Sequence, residues 1–494
     1  MKNLDRRSFI KTSLLTSASF GLLPAITGCT TRKAGAPSTV HLRAHGANED
    51  IRVAVVGFNG RGADHIRSFR QITGVRLAAL CDVDCDVLDK EVKKAKDQGQ
   101  PVQGYTDIRK LLENPDIDVI SIASPNHWHA LSAIWALQAG KDVYVEKPVS
   151  HNVWEGRQIV EAALKYGRIV QAGMQSRSSE GIRPGIAWLR EGHLGKIIRA
   201  RALCYKRRPS IGKVNGPQPI PPSIDYDLWC GPAPKEPLMR KRLHYDWHWV
   251  WPTGNGDLGN QGVHQMDLAR WALGEPELAP RTFSIGGRLG YEDDGTTPNT
   301  LVVFHDYKAA PLIFEVRGLP SAADSTNMDS YRGSSIGVVI DCEGGYLVIP
   351  KESTAIAFDK NGKEIKTFEG SVRHYENFIN VVRSRRPTDL NADVLDGHLS
   401  SALCHTGNIS YRLGTQQPPE EIREGIKGNS EAVETWSRME EHLAANGVDL
   451  NKTKASLGVF LKMAPKIERF IGNHKANQLL TRNYREPFVV PERV

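Results

Sequence analysis

IRVAVVGFNGRG, residues 51–62, is an apolar run that breaks into three glycines within six residues. A strand with no polar alternation is covered on both faces, the habit of parallel sheets. Gly57, Gly60 and Gly62 follow it in the order G-x-x-G-x-G, which departs from the usual G-x-G-x-x-G. Glycines there let the chain turn tightly and bring backbone amides and a helix N-terminus against a pyrophosphate. Gly57, Asn59, Gly60, Arg61 and Gly62 are therefore candidate dinucleotide contacts, although a Gly-rich turn after a strand is by itself only a turn. The context argues for more. A helical pattern covers 61–70, and a second apolar run at 75–82, VRLAALCD, ends on Asp82, 20 residues after Gly62. A carboxylate at that place accepts from the adenosine ribose 2′-hydroxyl and repels a 2′-phosphate. The expected cofactor is thus NAD, with NADP disfavoured. The plainer reading of Asp82 is a capping carboxylate, with Asp84 as its substitute.

Outward from this unit the pattern alternates. Apolar runs at 117–123, 142–146 and 168–172 are separated by helical stretches at 107–113, 127–139 and 152–166. Alternation of this kind predicts an α/β fold, a doubly wound parallel sheet of Rossmann type over 50–173. After one helix (181–192) the runs become β-rich, at 196–206, 282–290, 300–306, 311–317, 336–342 and 345–349. They predict an α+β domain over 174–415, with an open, mainly antiparallel sheet covered by helices on one face. Helical runs at 371–384 and 393–412 follow, then amphipathic segments near 431–445 and 455–470, the latter two within a C-terminal extension, 416–494. The Pro- and Trp-rich segment 207–252 has no clean period and is too long for an idle connector. No internal repeat is visible.

The first 49 residues carry a different message. Arg6 and Arg7 with Phe9, then an apolar stretch from Leu14 to Ala25, form a twin-arginine leader over 1–28, too short for a membrane span. Ile26-Thr27-Gly28-Cys29 resembles a lipoprotein processing box that makes Cys29 the lipidated first residue; the alternative is cleavage after a small residue. Residues 29–49 read as a tether. The expected location is the periplasm, free or lipid-anchored to the membrane that faces it. Lys2, Arg6, Arg7 and Lys11 against Asp5 give the leader +3 of the formal +8, leaving +5 spread over the rest. That is too dilute for nucleic acid, and no basic stripe with interleaved aromatics appears. Of seven cysteines, the six beyond Cys29 lack C-x-x-C spacing and read as buried thiols or an unassignable disulfide.

Two further loops should face the same crevice as the glycines, because ligands of open α/β sheets sit at the carboxyl ends of strands. One is Ser124-Pro125-Asn126-His127-Trp128-His129; the other is Glu146-Lys147-Pro148. The string GKDVYVEKPVSHNVWEG around the second closely resembles the Gfo/Idh/MocA family, the glucose–fructose oxidoreductase and inositol dehydrogenase group. The likeness runs from about Ile51 to Gly414 and extends to LLTRNYREPFVVP at 479–491. It implies a Rossmann domain followed by an open-sheet domain lining a substrate site, with a homo-oligomer expected. It also implies that Lys147 is the active-site lysine beside the nicotinamide and the substrate hydroxyl, in a Lys-Pro peptide that is commonly cis. A partly desolvated ammonium suits that role, since it stabilises a developing alkoxide. Ser124, Asn126, His129 and Glu146 resemble cofactor-loop residues; as bare residues Asn126 and His129 read equally as a helix cap and a core histidine.

GDLGNQGVHQMD, residues 256–267, resembles the second-domain motif of the family, and His264 stands at its proton-transferring histidine. An imidazole suits general acid–base work, and Asp267, one helical turn on, could orient it. Where the dehydrogenases of the family carry an aspartate four residues before the histidine, this chain has Asn260, which hydrogen-bonds but accepts no proton. Asp257 could supply a carboxylate, or serve only a turn. YDWHWVW at 245–251 offers Trp247, His248 and Trp249 as a platform for a sugar ring, and Gln175 with Arg177 could reach the same mouth; a core or dimer-surface aromatic cluster is the other reading. His244 and His248 have helical metal-ligand spacing but no recognisable third ligand, so no metal is expected. The function that results is an exported NAD-dependent oxidoreductase acting on a carbohydrate or polyol with tightly held nucleotide in a closed redox cycle. An NAD-dependent glycoside hydrolase and a sugar-binding protein that merely retains nucleotide are the alternatives.

Overall fold

The computed structural model describes residues 49–494; the expected leader, Cys29 and nearly all of the tether lie outside them. Six strands make the first sheet: β1 (Ile51–Val56), β2 (Val75–Cys81), β3 (Gln103–Tyr105), β4 (Val119–Ile122), β5 (Asp142–Val145) and β6 (Val170–Ala172). All are parallel, in the order β3-β2-β1-β4-β5-β6. Every residue of β1, β4 and β5 is buried, which is why these strands read as unbroken apolar runs. The strand order reverses between β1 and β4, so the loops after them open onto one crevice.

Helices cover both faces. Ala130, Leu131 and Ile134 of Asn126–Gln138 and Val153 and Ile159 of Val153–Tyr166 pack with Ala54 and Val56. On the opposite face Ile66 and Phe69 of Arg61–Arg70 pack with Ile51, Val53 and Val55, joined by Phe378, Ile379 and Val382. Those last three come from His374–Ser384, a helix that follows most of the second sheet and returns to complete the first.

The second sheet holds β7 (Ile197–Tyr205), β8 (Arg281–Gly287), β9 (Thr300–His305), β10 (Leu312–Arg317), β11 (Ile336–Cys342), β12 (Gly345–Lys351), β13 (Thr354–Asp359), β14 (Glu364–Glu369), β15 (Thr415–Gln417) and β16 (Ala455–Leu457). Their order is β14-β13-β12-β11-β7-β10-β9-β8-β16-β15, with β17 (Leu461–Ala464) also on β8 and β18 (Arg469–Phe470) on β17. Only β7 and β10 run parallel; the other neighbours are antiparallel. The sheet is therefore open and mainly antiparallel, as expected.

Two expectations are corrected. Of the amphipathic segments, Ser430–Ala445 is a helix, but 455–470 divides into β16, β17 and β18, because β8 offers an edge that these short runs complete. Nor are helices confined to one face. Gly262–Leu273 and Val394–Arg412 cover one side, while Trp436 and Met439 of Ser430–Ala445 pack on Phe304 and Ile313 on the other. Arg438 of that helix donates to Glu315 of β10 at 2.6 and 3.0 Å. Burial alone would raise the Glu315 carboxyl, but Arg201 and Arg438 hold it down at about 2. Among the described residues all six cysteines are free thiols, Cys85 exposed and the others buried.

Candidate active site

The cleft begins where β1 ends. Gly57 adopts φ +75°, and a Cβ there would stand 2.6 Å from the Ser124 backbone. A Cβ on Gly62 would overlap the Gly57 carbonyl oxygen, whereas one on Gly60 would meet nothing within 4 Å. Two glycines are thus demanded by backbone packing, and the third keeps open the space before the N-terminus of Arg61–Arg70, where a pyrophosphate fits. The Asp82 carboxylate closes this loop by accepting from Phe58 N at 3.0 Å and Asp84 N at 3.1 Å. Burial raises its pKa, against those two amide hydrogen bonds. Each oxygen keeps a free lone pair for a ribose hydroxyl.

Together with the loops after β4 and β5, these residues enclose a cleft of about 350 Å³, lined by Asn59, Gly60, Arg61, Asp82, Ser124, Asn126, His129, Glu146, Lys147, Trp247, His248 and Asn260, all expected at the site. The His129 imidazole spans Ser124 O and Pro148 O at 2.6 Å each, tying the two loops together. Asn126 donates to Asn255 Oδ1 at 2.9 Å, so it is a link between the domains as well as part of the wall. The Ser124 hydroxyl is buried with no partner among the described residues, a group that a ligand in the cleft would satisfy.

Lys147 is held from both domains. Its Nζ donates to the Asn260 carbonyl at 2.6 Å, and the Lys147–Pro148 peptide is cis. Burial lowers the Lys147 pKa, while the Glu146 charge works against that shift. Glu146 is fully enclosed. Its Oε1 accepts from Arg61 Nε at 3.3 Å, His65 Nε2 at 3.2 Å and Gln175 Nε2 at 2.9 Å. Burial would raise this carboxyl, but the His65 hydrogen bond and the Arg61 charge hold it well below the usual range. Because the carboxylate can only accept, His65 carries its proton on Nε2, and Nδ1 takes the Ser121 hydroxyl at 2.8 Å.

His264, on Gly262–Leu273, is partly buried. Burial, then the Lys147 charge, lowers its pKa to about 3, so the ring is neutral at physiological pH. Asp267 and Arg177 are placed otherwise than expected. They bind each other, Nε to Oδ2 at 2.8 Å and Nη2 to Oδ1 at 2.9 Å, with Ser400 on the same carboxylate at 2.7 Å. Asp267 therefore braces Arg177 instead of orienting His264. Gln175 is an inner support of Glu146, also donating to the Tyr144 hydroxyl at 2.9 Å. Trp247 and His248 stack at 3.6 Å and face the cleft, whereas Trp249 is buried beneath with Arg208 5.2 Å over its ring. His244 and His248, which share helical metal-ligand spacing, are both engaged, His244 Nε2 with Asp84 Oδ2 at 2.9 Å and His248 Nδ1 with the Tyr245 carbonyl.

Three features escaped the sequence reading. Arg208 clamps Asp257 with two hydrogen bonds of 2.7 Å, neutralising a carboxylate beside Asn260, whose amide reaches it at 3.4 Å. His65 backs Glu146; its i+4 spacing from Arg61 was the available signal. The segment 218–249 is a strap over the cleft. Cys85 N donates to Ser223 O at 2.9 Å, Trp128 Nε1 to Leu228 O at 3.0 Å, His127 Nε2 to Trp229 O at 3.0 Å, and Arg485 Nη2 to Asp227 O at 2.7 Å. Leu228, Trp229, His244 and Tyr245 of the strap line the cleft with the glycine loop.

Comparison with known proteins agrees with this geometry. The model of the Gfo/Idh/MocA oxidoreductase family, NAD-binding Rossmann fold, matches residues 51–174, and that of the family's C-terminal alpha/beta domain matches 203–307. A glycosyl hydrolase family 109 protein of Shewanella pealeana is 35% identical over 172 residues, 32% of this chain and 37% of its own. An alpha-N-acetylgalactosaminidase of Shewanella oneidensis is 33% identical over 173 residues, 33% of this chain and 38% of its own. The chain thus spans under two-fifths of the length of these curated relatives. The WlbA dehydrogenase of Bordetella pertussis, solved with NADH and UDP-GlcNAcA, superposes with a TM-score of 0.53 at 19% identity over 72% of this chain and 94% of that one. A putative NADPH-dependent oxidoreductase of Desulfitobacterium hafniense gives 0.56 at 16% identity over 73% and 95%. These two solved structures share the fold. With both domains matched in order, and the glycine loop, Glu146 and Lys147 lining one cleft, the chain belongs to the Gfo/Idh/MocA family of oxidoreductases.

Proposed function

We propose that this protein binds NAD and oxidises a hydroxyl of a carbohydrate or polyol, retaining the nucleotide through a closed redox cycle. The observation that carries the reading is Lys147 in the wall of a nucleotide cleft crossed by a strap, with a neutral His264 near enough for the Lys147 charge to lower its pKa. When bound, NAD supplies the hydride acceptor. Lys147, steadied by the Asn260 carbonyl, donates to the substrate oxygen and stabilises charge that develops there. His264, neutral and without a hydrogen-bond partner among the described residues, takes the hydroxyl proton. Asn260 orients a hydroxyl through its amide, and Arg208 keeps Asp257 paired and out of proton transfer.

Export by the twin-arginine route, with or without a lipid on Cys29, fits this scheme, because a folded protein would carry its cofactor across. Outside the inner membrane spent nucleotide finds no pool to exchange with. The strap's ties to Asp84, Trp128 and Arg485 support retention. A second reading, cleavage of a glycoside by transient oxidation, elimination and return of hydride, is favoured by the glycosidase names of the curated relatives. Both are closed cycles. The deciding experiment gives the purified protein free sugars and glycosides without added NAD and follows product and NADH absorbance. Product beyond one equivalent with no lasting NADH is expected. A strict need for added NAD, with stoichiometric NADH, would make the chain a conventional dehydrogenase.

The cofactor is expected to be NAD, because a 2′-phosphate would meet the Asp82 carboxylate. Mass spectrometry of nucleotide released from the purified protein should find NAD as the main species. Asp82→Ala should narrow the preference for NAD over NADP by about tenfold or more, the worth of one charged contact. NADP dominating in the unmodified protein would remove Asp82 from that role.

A further inference from the structure

A second cavity, of about 560 Å³, opens between the helix Val394–Arg412, the turn at 251–255 and the C-terminal stretch 478–483. Asn255 divides it from the cofactor cleft: it lines this cavity, while its Oδ1 accepts from Asn126 on the other side.

The wall of this cavity is unbalanced in its hydrogen bonding. Among the described residues no carboxylate lines it, yet two guanidinium groups do. Arg482, partly buried, donates to His151 Nδ1 at 3.2 Å; Glu155 and Glu236 act on it only through space, without an ion pair among the described residues. The Glu155 carboxylate is taken instead by His151 N at 2.8 Å and Asn152 Nδ2 at 2.9 Å. Arg412 stands at the open rim, its guanidinium 5.1 Å from the centre of the Trp251 ring. Deeper in the wall the imbalance reverses. The His405 ring, 3% exposed, gives its Nε2 proton to Ser150 O at 3.1 Å, so Nδ1 is an acceptor, and among the described residues it has no partner. Asn408, 4% exposed, gives Nδ2 to Asn255 O at 2.9 Å, and its Oδ1 likewise has no partner among the described residues. Buried acceptors left without donors are destabilising, and native structures contain few of them.

We propose that this cavity binds a polyhydroxylated carboxylate, in its simplest form a hexuronic acid unit. The carboxylate answers Arg412 and Arg482 as a charge-assisted pair. Ring hydroxyls supply the donors that His405 Nδ1 and Asn408 Oδ1 lack, and the apolar face of the ring lies on Trp251. Inorganic phosphate offers the first of these three features and a neutral hexose the last two; a hexuronate has all of them. The proposal does not depend on the activity assigned to the cofactor cleft.

The test is calorimetric titration of the cofactor-loaded full chain with D-galacturonate and D-glucuronate, beside galactose, glucose and inorganic phosphate. A uronate should bind at least about tenfold tighter than its hexose and than phosphate, the worth of one charge-assisted contact. Arg482→Gln and Arg412→Gln should each weaken it by about tenfold at unchanged NAD content, whereas Lys147→Ala, in the other cleft, should leave it intact. Equal affinity for hexose, equal affinity for phosphate, absence of uronate binding, or its loss in Lys147→Ala would each overturn the assignment. The uronate–hexose comparison needs no variant, so the proposal stays open to refutation even where an arginine substitution fails to fold.

Discussion

Lys147→Ala is expected to lower kcat by about 10²–10⁴-fold, the usual worth of a positioned proton-transfer group, while NAD content and thermal unfolding stay near those of the unmodified chain. The reason is positional. Lys147 reaches the cleft from the end of β5 and is anchored through Nζ to the Asn260 carbonyl, not to the glycine loop that would grip the pyrophosphate. Its loss removes charge stabilisation at the reacting oxygen without loosening the nucleotide. His264→Ala should fall in the same range for a different reason, since it takes away the neutral imidazole that accepts the hydroxyl proton. Steady-state kinetics with cofactor content measured on the same preparation separates the two effects. A near-wild-type kcat in either variant removes that residue from the mechanism.

The second large effect is acid instability. His127, His305 and His405 are 1%, 0% and 3% exposed, and burial lowers the pKa of each to about 3. His374, 1% exposed, is lowered to about 4, again by burial. In the unfolded chain each titrates near about 6.5. Their folded values are depressed, so below about pH 6.5 the unfolded state binds protons that the folded state refuses, and stability falls with pH. Each contributes a loss of about 1.4 kcal/mol per pH unit. Glu155 opposes them. Burial raises its pKa to about 7, so its buried charge is relieved as the pH drops from 7. Three groups net amount to about 4 kcal/mol per pH unit, against a total stability of about 5–15 kcal/mol for a typical fold. Cooperative unfolding is therefore expected between about pH 6 and 4.5. That lies above the range in which Glu315 and Glu468, both held at about 2, lose their charges. Urea unfolding at a series of pH values checks this, and stability that stays level between pH 7 and 5 contradicts it.

The candidate site was legible in parts. Lys147 and His264 were visible through strings that resemble the family, Gly57 and Asp82 because each belongs to a short local grammar of strand, turn and helix. Residue type and spacing there dictate where the backbone puts them. Asn260 was visible as a departure, but its working atom was not: the structure uses its carbonyl to hold Lys147, a backbone property that any residue at this position would share. Arg177 and Asp267 were read as site residues because they neighbour site strings. In space they satisfy each other, since burying either charge alone would be costly. Trp249 went the same way, buried and covered by Arg208, while its neighbours Trp247 and His248 face the cleft.

By itself the sequence determined the two-domain order, the parallel first sheet and the glycine turn. These follow from burial periodicity and local backbone chemistry, which act over a few residues. Only the tertiary structure decided which charges are spent. It pairs Arg208 with Asp257 and Arg177 with Asp267, sets His65 behind Glu146, brings His374–Ser384 back onto the first sheet, and lays 218–249 across the nucleotide cleft. Partners so far apart in the chain leave no periodic trace, because what brings them together is the shared need to neutralise buried charge and cover apolar surface once the core has formed.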